Sequence, residues 1–316
     1  MKNGRFFIVM SFFSYFFINL AGKMAKQTLV FESPKELSLK DNMIVIKDRD
    51  TEEMTLRSLE DIRLIMIDNH SVRITVPLIS RLSKLNIGVV FCDEKHMPTA
   101  MLMDLESNSL QSKRFRYQLS ASKPTNKQIW KQIVEAKIRN QSLLLEKKGF
   151  GKVLLAVYYN NVKSGDTTNR EGVAAKVYWS KLMGKGFIRD RYGLPPNSLL
   201  NYGYALLRSM MARCIMNAGL LPTIGIFHHN SYDAFPLADD LMEPYRPYVD
   251  YKVTSLMEEG LDAYRRVHML PSVTHQLLLA LVPCLVLNAS PSVPFTAYCF
   301  VLLYCYIVIS FLTILQ

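Results

Sequence analysis

The periodicity of the apolar residues changes near residue 105, and this change limits the folds that the chain can form. Before that point, short apolar stretches separated by polar turns are typical of β-strands. They are TLVFES at 28–33, ELSLKDN at 36–42, MIVIKD at 43–48 and RLIMID at 63–68. A helix over Val76 to Leu85 and a strand over Ile87 to Cys92 follow. The first third of the chain is therefore predicted to be rich in β-structure.

After a polar, loop-like segment from Asp104 to Ser112, the apolar residues recur at helical spacing. Four helices are predicted, over Lys127 to Lys148, Val153 to Val162, Arg170 to Leu182 and Asn197 to Ala218. Glycines follow them as stop signals. The pattern predicts an α+β fold, with a small β-rich N-terminal domain over 24–105 and a larger all-helical domain over 106–266.

The leader, residues 1–23, has a composition of its own. Two basic residues precede an apolar run from Phe6 to Leu20, which is typical of a signal peptide and short for a membrane span. Met24 directly precedes a second plausible start, AKQTLVF. A mis-assigned start codon is therefore favoured over a true signal.

The tail, residues 267–316, contains no Asp, Glu, Lys or Arg. Its stretch from Phe295 to Leu315 is long enough for a membrane helix, but no Lys or Arg flanks it to set an orientation. A genuine anchor, a buried core helix and translation in a shifted reading frame are the three interpretations, and the shifted frame is favoured.

Charge and cysteine content narrow the function classes. The formal net charge is +11, which suits a nucleic-acid backbone or an anionic membrane surface as partner. The five cysteines form no CxxC pair, which argues against a zinc cluster. Their odd number and irregular spacing also argue against a secreted disulfide framework.

Residues 225–250 carry the most concentrated chemistry, in the sequence GIFHHNSYDAFPLADDLMEPYRPYVD. His228 precedes Asp239, Asp240 and Glu243 in an otherwise apolar segment. Asp240 and Glu243 are three residues apart and share one helix face. Neighbouring acids repel unless a cation lies between them, and a divalent metal with a histidine ligand meets that need. Asp239 alone is better explained as an acid at a helix start.

Glu171 is a second candidate, in the segment TTNREGVAAKVYW. Thr167, Thr168 or Asn169 can cap the following helix, which puts Glu171 in its first turn. An acid there simply complements the helix dipole, and this is the better interpretation of Glu171 taken alone. The small residues that follow, Gly172 among them, would let another backbone approach closely, as a site entrance requires.

Three segments together resemble a known family. They are NREGVAAKVYW, LLNYGYALLRSMMARCIMNAGLLPTIGIFHHN and LADDLMEPYRPYVD. In order and spacing they are similar to the universal integrase subunit of CRISPR spacer acquisition, the "Cas-one" family, in its type II version. The resemblance covers roughly 25–261. It implies a β-rich N-terminal domain and a helical catalytic domain.

The resemblance also implies the roles of individual residues. Glu171, His228 and Glu243 match the family's catalytic metal ligands, and the metal would be Mg²⁺ or Mn²⁺. Asp240 matches an additional acid near the metal in some relatives. His229 is expected near the metal without binding it, or facing DNA.

The resemblance implies a reaction and partners as well. The 3′ ends of a short DNA duplex would attack the boundaries of CRISPR repeats, and with water as nucleophile the site would act as a DNA endonuclease. The expected partners are double-stranded DNA, both protospacer and repeat array, a second copy of the chain in a homodimer, and a small CRISPR-associated subunit. The type II effector nuclease is a further candidate partner, and the expected location is the cytoplasm.

Basic residues cluster at the start of the helical part and could hold DNA phosphates without reading sequence. For any single lysine, a solvated helix face is the simpler interpretation. The cluster comprises Lys113, Arg114, Arg116, Lys123, Lys127, Lys131, Lys137 and Arg139. Arg246 is distinct, because it follows Glu243 by three residues and is expected to brace that carboxylate or to contact a phosphate.

The alternative hypothesis is a membrane-anchored or exported basic binding protein without catalysis. It depends on the apolar leader and tail, and under it the protein does not require Glu171, His228 or Glu243 for function. The family's charged C-terminal helices are replaced here by the chargeless tail. The catalytic ligands lie upstream of that change.

Overall fold

The computed structural model describes residues 27–106, 108–151 and 153–258. The predictions made for the leader and for the tail lie outside these residues. Within the described ranges, no helix is long and apolar enough to cross a membrane.

Within residues 27–106, the structure has two four-stranded sheets, one α-helix and a short 3₁₀-helix at Leu59–Asp61. The strands and the α-helix are β1 (Gln27–Phe31), β2 (Lys35–Lys40), β3 (Met43–Asp48), β4 (Met54–Ser58), β5 (Ile62–Ile67), β6 (Arg73–Ile74), α1 (Val76–Lys84), β7 (Gly88–Cys92) and β8 (Pro98–Met101). One sheet has the order β1-β5-β7-β8, parallel except for the last pair. The other has the order β4-β3-β2-β6, antiparallel except for the β2–β6 pair.

Strand β5 is buried on both faces, as expected for a central parallel strand. Ile65 and Ile67 belong to the core between the first sheet, the second sheet and α1. Leu64 and Met66 point to the opposite face and belong to the core of the helical part. The alternation of side chains along this strand therefore joins the two parts of the protein.

Beyond β8, the elements in the described ranges are helices. They are α2 (Gln111–Leu119), α3 (Lys123–Lys147), α4 (Ala156–Tyr159), α5 (Arg170–Leu182), α6 (Asn197–Asn217), α7 (Pro236–Met242) and α8 (Arg246–Glu258). Helix α6 packs closely on α8, because Gly203 has no side chain. A Cβ atom at Gly203 would lie 2.4 Å from Cγ1 of Val249.

The α+β class and the order of β-rich and helical parts are confirmed. Helix α5 has the predicted bounds, and α1, α3 and α6 match theirs within a few residues. The helix predicted over Val153 to Val162 is wrong in length, because Val153 has a φ of 52° and cannot begin it. Strands β4, β6 and β8 and helix α2 were not predicted, and no bounds were predicted for α7 and α8. The division into separate domains stays a prediction.

Candidate active site

Glu171 is placed by a strongly capped helix start. The side chain of Asn169 accepts a hydrogen bond from the backbone N–H of Gly172 at 3.1 Å. The carboxylate of Asp166 accepts from the N–H groups of Arg170 at 2.8 Å and Glu171 at 3.0 Å. These bonds satisfy donors that the first turn of a helix leaves free. They fix the direction in which Glu171 leaves α5.

Gly172 has a role that was not expected from the sequence. A Cβ atom at this position would lie 2.6 Å from Oδ1 of Asn169, the capping side chain of the same helix. Ala174 is fully buried in the helical core. In the structure, Gly172 therefore makes room for the helix cap, and its predicted role in admitting another backbone at a site entrance stays a prediction.

Asp240 organises the loop that carries His228. It is fully buried on α7, and its Oδ2 accepts hydrogen bonds from the N–H groups of Ile226 at 2.6 Å and Phe227 at 2.8 Å. Its Oδ1 accepts from the N–H of His228 at 3.3 Å and lies 2.5 Å from Nδ1 of the same residue. A carboxylate with this many donors is held in one position.

The turn itself depends on Gly225. A Cβ atom there would lie 2.1 Å from the backbone oxygen of His228, so a side chain at this position has no room. The loop also rests on α3, where the ring of Phe227 stacks on Trp130 at 4.2 Å with 2° between the planes. Trp130 contacts the edge of His228 at 5.6 Å between ring centroids.

These contacts leave one nitrogen of His228 for chemistry. Since Nδ1 is engaged by Asp240, Nε2 is the atom that can bind a metal or meet a substrate. The side chain of His228 is 45% exposed, so the imidazole ring can be reached from outside. The hydrogen bond with Asp240 raises the pKa of His228 above its usual range, and the charges of Glu243 and Glu171 raise it further.

Glu243 lies in the short turn between α7 and α8 and is 5% exposed. Nδ2 of Asn140 on α3 donates to the backbone oxygen of Pro244 at 2.7 Å and ties this turn to α3. Nε of Arg246 lies 3.0 Å from Oε1 of Glu243. Arg246 therefore braces a carboxylate, which is one of the two roles expected for it.

Lys137 joins the two glutamates. Its Nζ lies 2.5 Å from Oε1 of Glu171 and 2.5 Å from Oε2 of Glu243, and its side chain is only 12% exposed. The structure therefore corrects the grouping of Lys137 with surface residues that hold DNA. Its ammonium group occupies the gap between the two acids.

The ion pairs decide the protonation of the site. Burial raises the pKa of Glu243, but the charges of Lys137 and Arg246 outweigh burial and bring this pKa below its usual value. Burial lowers the pKa of Lys137, and the charges of Glu243 and Glu171 outweigh it and raise the pKa overall. Near neutral pH, Glu243 is therefore ionised and Lys137 is protonated.

The donor atoms suit a divalent cation, although a lysine separates two of them. In the described part of the chain, no three His, Cys, Asp or Glu side chains stand in an arrangement that holds a metal ion. Yet Oε2 of Glu243 is buried and receives no hydrogen bond of good geometry from the described residues. Glu171 and Glu243 provide two carboxylates, the ligand type that Mg²⁺ and Mn²⁺ prefer, and His228 adds an imidazole, which binds transition-metal ions. The residues therefore fit the metal once the ammonium moves.

Comparison with known proteins identifies the family. The family model described as CRISPR associated protein Cas1 matches residues 28–263. The chain belongs to this family. A relative from Neisseria meningitidis serogroup C (strain 8013), named CRISPR-associated endonuclease Cas1, is 36% identical over 239 residues, which cover 75% of this chain and 78% of the relative. The resemblance drawn from the motifs is confirmed.

Solved structures show the same fold as this Cas1-family chain. A casposase bound to an integration product has a TM-score of 0.71 and 22% identity, with 91% of each chain covered. A Cas6-RT-Cas1–Cas2 complex has a TM-score of 0.61 and 19% identity, over 91% of this chain and 35% of that chain. At these identities, the likeness establishes the fold.

The remaining acids of the Cas1 motif region have separate partners. Asp239 lies 3.0 Å from Nε of Arg208, and Arg208 also pairs with Asp233. Burial raises the pKa of Asp239 to about 6. Asp239 is therefore part of an ion-pair cluster beside the site.

His229 follows His228 in the loop and is exposed.

Asp250 was not assigned a role from the sequence, yet it holds a buried network behind Glu243. It accepts hydrogen bonds from the hydroxyl groups of Tyr178 at 2.6 Å and Tyr204 at 2.5 Å. The ring of Tyr204 lies 4.7 Å from the guanidinium carbon of Arg246. Burial raises the pKa of Asp250 to about 6. The network fixes the ring of Tyr204 on which Arg246 lies, and Arg246 in turn pairs with Glu243.

Replacing Asp250 with alanine is expected to lower the free energy of unfolding by about 2–4 kcal/mol. The change leaves two buried hydroxyl groups without their acceptor, and each such loss costs about 1–3 kcal/mol. Chemical denaturation monitored by circular dichroism measures the effect. Tyr178→Phe removes only one of the two bonds and is expected to cost about 1 kcal/mol. Equal losses in both variants would show that the network does not act as described.

The basic cluster divides into several groups in the structure. Arg114 donates to the backbone oxygen of Ala218 at 2.5 Å and anchors α2 on the end of α6. Lys131 lies 3.7 Å from Glu135 on the same helix. The exposed members, whose contact with DNA stays a prediction, are Lys113, Arg116, Lys123, Lys127 and Arg139.

Helical periodicity contains a signal for Lys137 that the sequence analysis did not use. Trp130, Val134, Lys137 and Gln141 follow one another at intervals of four, three and four residues and so share one face of α3. The other three are buried. A lysine on a face that is otherwise buried requires an acidic partner, which points to the site.

Proposed function

We propose that the chain is a metal-dependent DNA integrase and endonuclease of CRISPR adaptation. The observation that carries this proposal is that Lys137 bridges Glu171 and Glu243, while the charges of both glutamates act on His228. The three proposed ligands come from the start of α5, the loop before α7 and the turn before α8. The name of the Neisseria relative, an endonuclease, supports the same class of enzyme.

Glu171, Glu243 and Nε2 of His228 are the atoms proposed to hold Mg²⁺ or Mn²⁺. When bound, the metal lowers the pKa of the attacking hydroxyl group and offsets negative charge on the phosphate in the transition state. Asp240 keeps Nδ1 of His228 engaged and thereby directs Nε2 outward. Arg246 holds Glu243 in its ionised form.

The proposed reaction is a phosphodiester exchange. The 3′-oxygen of a short DNA duplex forms a bond to the phosphorus atom at a repeat boundary, and the bond from that phosphorus to the 3′-oxygen of the flanking nucleotide breaks. The proton leaves the attacking hydroxyl group, and the departing oxygen takes one up. With water as the nucleophile, the same exchange is hydrolysis of DNA.

The proposed partners follow from the reaction and from the similar structures. Double-stranded DNA, as protospacer and as repeat array, is the substrate, and the casposase structure contains an integration product. A homodimer and a small second subunit are proposed to complete the enzyme, in line with the Cas1–Cas2 complex among the similar structures. The type II effector nuclease is proposed as a further partner.

A joining assay tests the proposed function. The full chain is mixed with its small partner subunit, a labelled duplex with free 3′-hydroxyl groups and a plasmid that carries repeats. Joined product is expected with Mn²⁺ and is expected to be absent with EDTA. Glu171→Gln is expected to reduce joining by roughly 10²–10³-fold, because it removes one charged ligand.

The matched control is Glu135→Gln, which changes a glutamate on the surface of α3 that pairs with Lys131. Its joining rate is expected to stay within about twofold of the unaltered protein. Joining that continues in EDTA, or a Glu171→Gln variant as active as the control, contradicts the metal-dependent mechanism.

A further inference from the structure

The gap between the two catalytic carboxylates already contains a cation of the protein. Nζ of Lys137 lies 2.5 Å from Oε1 of Glu171 and 2.5 Å from Oε2 of Glu243. Both glutamates belong to the proposed metal site. The ammonium group therefore contacts one oxygen of each of the two acids that would bind the metal.

The local charges show what this lysine does before a metal arrives. Glu171 and Glu243 contribute two negative charges, and Glu243 is 5% exposed. Two unpaired carboxylates so close together would repel each other strongly in a buried place. Lys137 supplies one positive charge between them, and Arg246 supplies another on the far oxygen of Glu243. The charges of these four side chains therefore balance one another without any bound ion.

A divalent cation and this ammonium group need the same oxygen atoms. Like charges at such short separation repel by several kcal/mol even when partly screened, so both cannot occupy the gap. The side chain of Lys137 has a flexible four-carbon stem, so its ammonium group can leave while α3 stays in place. The gap can thus hold either the ammonium or the metal.

We propose that Lys137 is a resident cation of the active site, which a divalent metal must displace in order to bind. This inference rests on the proposed function, because it concerns the same three ligands. Lys137 keeps the metal-free site folded and neutral, and it weakens the affinity for metal. It thereby sets the concentration of divalent cation above which the enzyme becomes competent.

Direct measurement of Mn²⁺ binding tests this inference without an activity assay. Free Mn²⁺ is followed by electron paramagnetic resonance while it is titrated into the full chain and into Lys137→Met. The Kd of the variant is expected to fall by at least tenfold, since no ammonium has to be displaced. In EDTA the variant is expected to melt at a lower temperature than the unaltered protein, and saturating Mn²⁺ is expected to raise its Tm more.

Further variants test whether a folding defect or the change in net charge, and not the loss of the ammonium group from the gap, explains a change in Kd. Lys137→Gln removes the charge but keeps a hydrogen-bond donor, and it is expected to bind Mn²⁺ more tightly as well. Lys137→Arg keeps the charge, so its Kd is expected to stay weak. Lys148→Met is the matched control, because Lys148 is also 12% exposed and pairs with one acid, Glu258, at 2.7 Å. It lies directly after the end of α3, about 16 Å from Lys137 along the helix axis, and its Kd for Mn²⁺ is expected to be unchanged.

The outcomes separate this inference from the proposed function. If the unaltered chain binds Mn²⁺ and both neutral variants bind it no more tightly, the resident-cation role is wrong while the metal site stands. If none of the proteins binds Mn²⁺, both the inference and the proposed metal-dependent function fail. Tighter binding in Lys148→Met as well would assign the effect to overall charge and would also overturn the inference.

Discussion

Replacing His228 with alanine is expected to reduce DNA joining by roughly 10³-fold, because it removes the only neutral ligand proposed for the metal. The fold is expected to survive, since the side chain is 45% exposed. Asp240 also keeps the backbone N–H groups of Ile226 and Phe227 after the change. Joined product is measured on a gel over time with Mn²⁺ in excess, and thermal melting establishes that the variant is folded.

The neighbouring histidine provides the matched control. His229 is exposed and follows His228 directly in the chain. His229→Ala is expected to retain joining within about tenfold, because it lies outside the contacts that Asp240 makes with the loop. A larger defect in His229→Ala than in His228→Ala would reverse the assignment of the two residues and would falsify the geometry described for the loop.

Replacing Asp240 with alanine is expected to have the largest effect on stability, roughly 3–5 kcal/mol of unfolding free energy. The change removes the acceptor of three backbone N–H groups at a fully buried position. The loop that carries His228 would lose its fixed shape, so joining is expected to be lost as well. Denaturant unfolding and the joining assay measure the two effects separately.

Asp240→Asn keeps the volume of the side chain, so it tests the effect of Asp240 on the orientation of His228 without the cavity that Asp240→Ala creates. An asparagine has one acceptor oxygen, while both oxygens of Asp240 accept hydrogen bonds. An amide N–H facing Nδ1 of His228 would favour the tautomer with a proton on Nε2, which cannot bind a metal. Joining is therefore expected to fall by roughly 10–100-fold even in folded protein.

The adjacent acid shows whether these effects are specific. Asp239 has a partly exposed side chain and pairs with Arg208. Asp239→Asn is expected to cost about 1 kcal/mol or less. Similar losses of stability in Asp239→Asn and Asp240→Ala would contradict the role given to Asp240 in holding the loop.

The sequence predicted the outline of the fold because local patterns determine it. Helix α5 has its predicted bounds, since Asn169 and the run after it carry both a cap and helical spacing. Strand β4 and helix α2 were missed, because their apolar residues are few and partly exposed. For such elements, pairing with neighbours in the sheet, or a tertiary contact such as that of Arg114 with the end of α6, decides the structure.

By itself, the sequence determined the family and pointed to Glu171, His228 and Glu243 as candidates for the site, because the order and spacing of the motifs around them are specific to that family. Only the tertiary structure decided how they act together. It placed Asp240 against Nδ1 of His228 and brought Lys137 from a separate helix between the two glutamates. The physical reason is that ion pairs and buried hydrogen bonds depend on distances of a few ångströms between residues far apart in the chain. Such distances are set by the packing of α3 against α5 and the turn before α8.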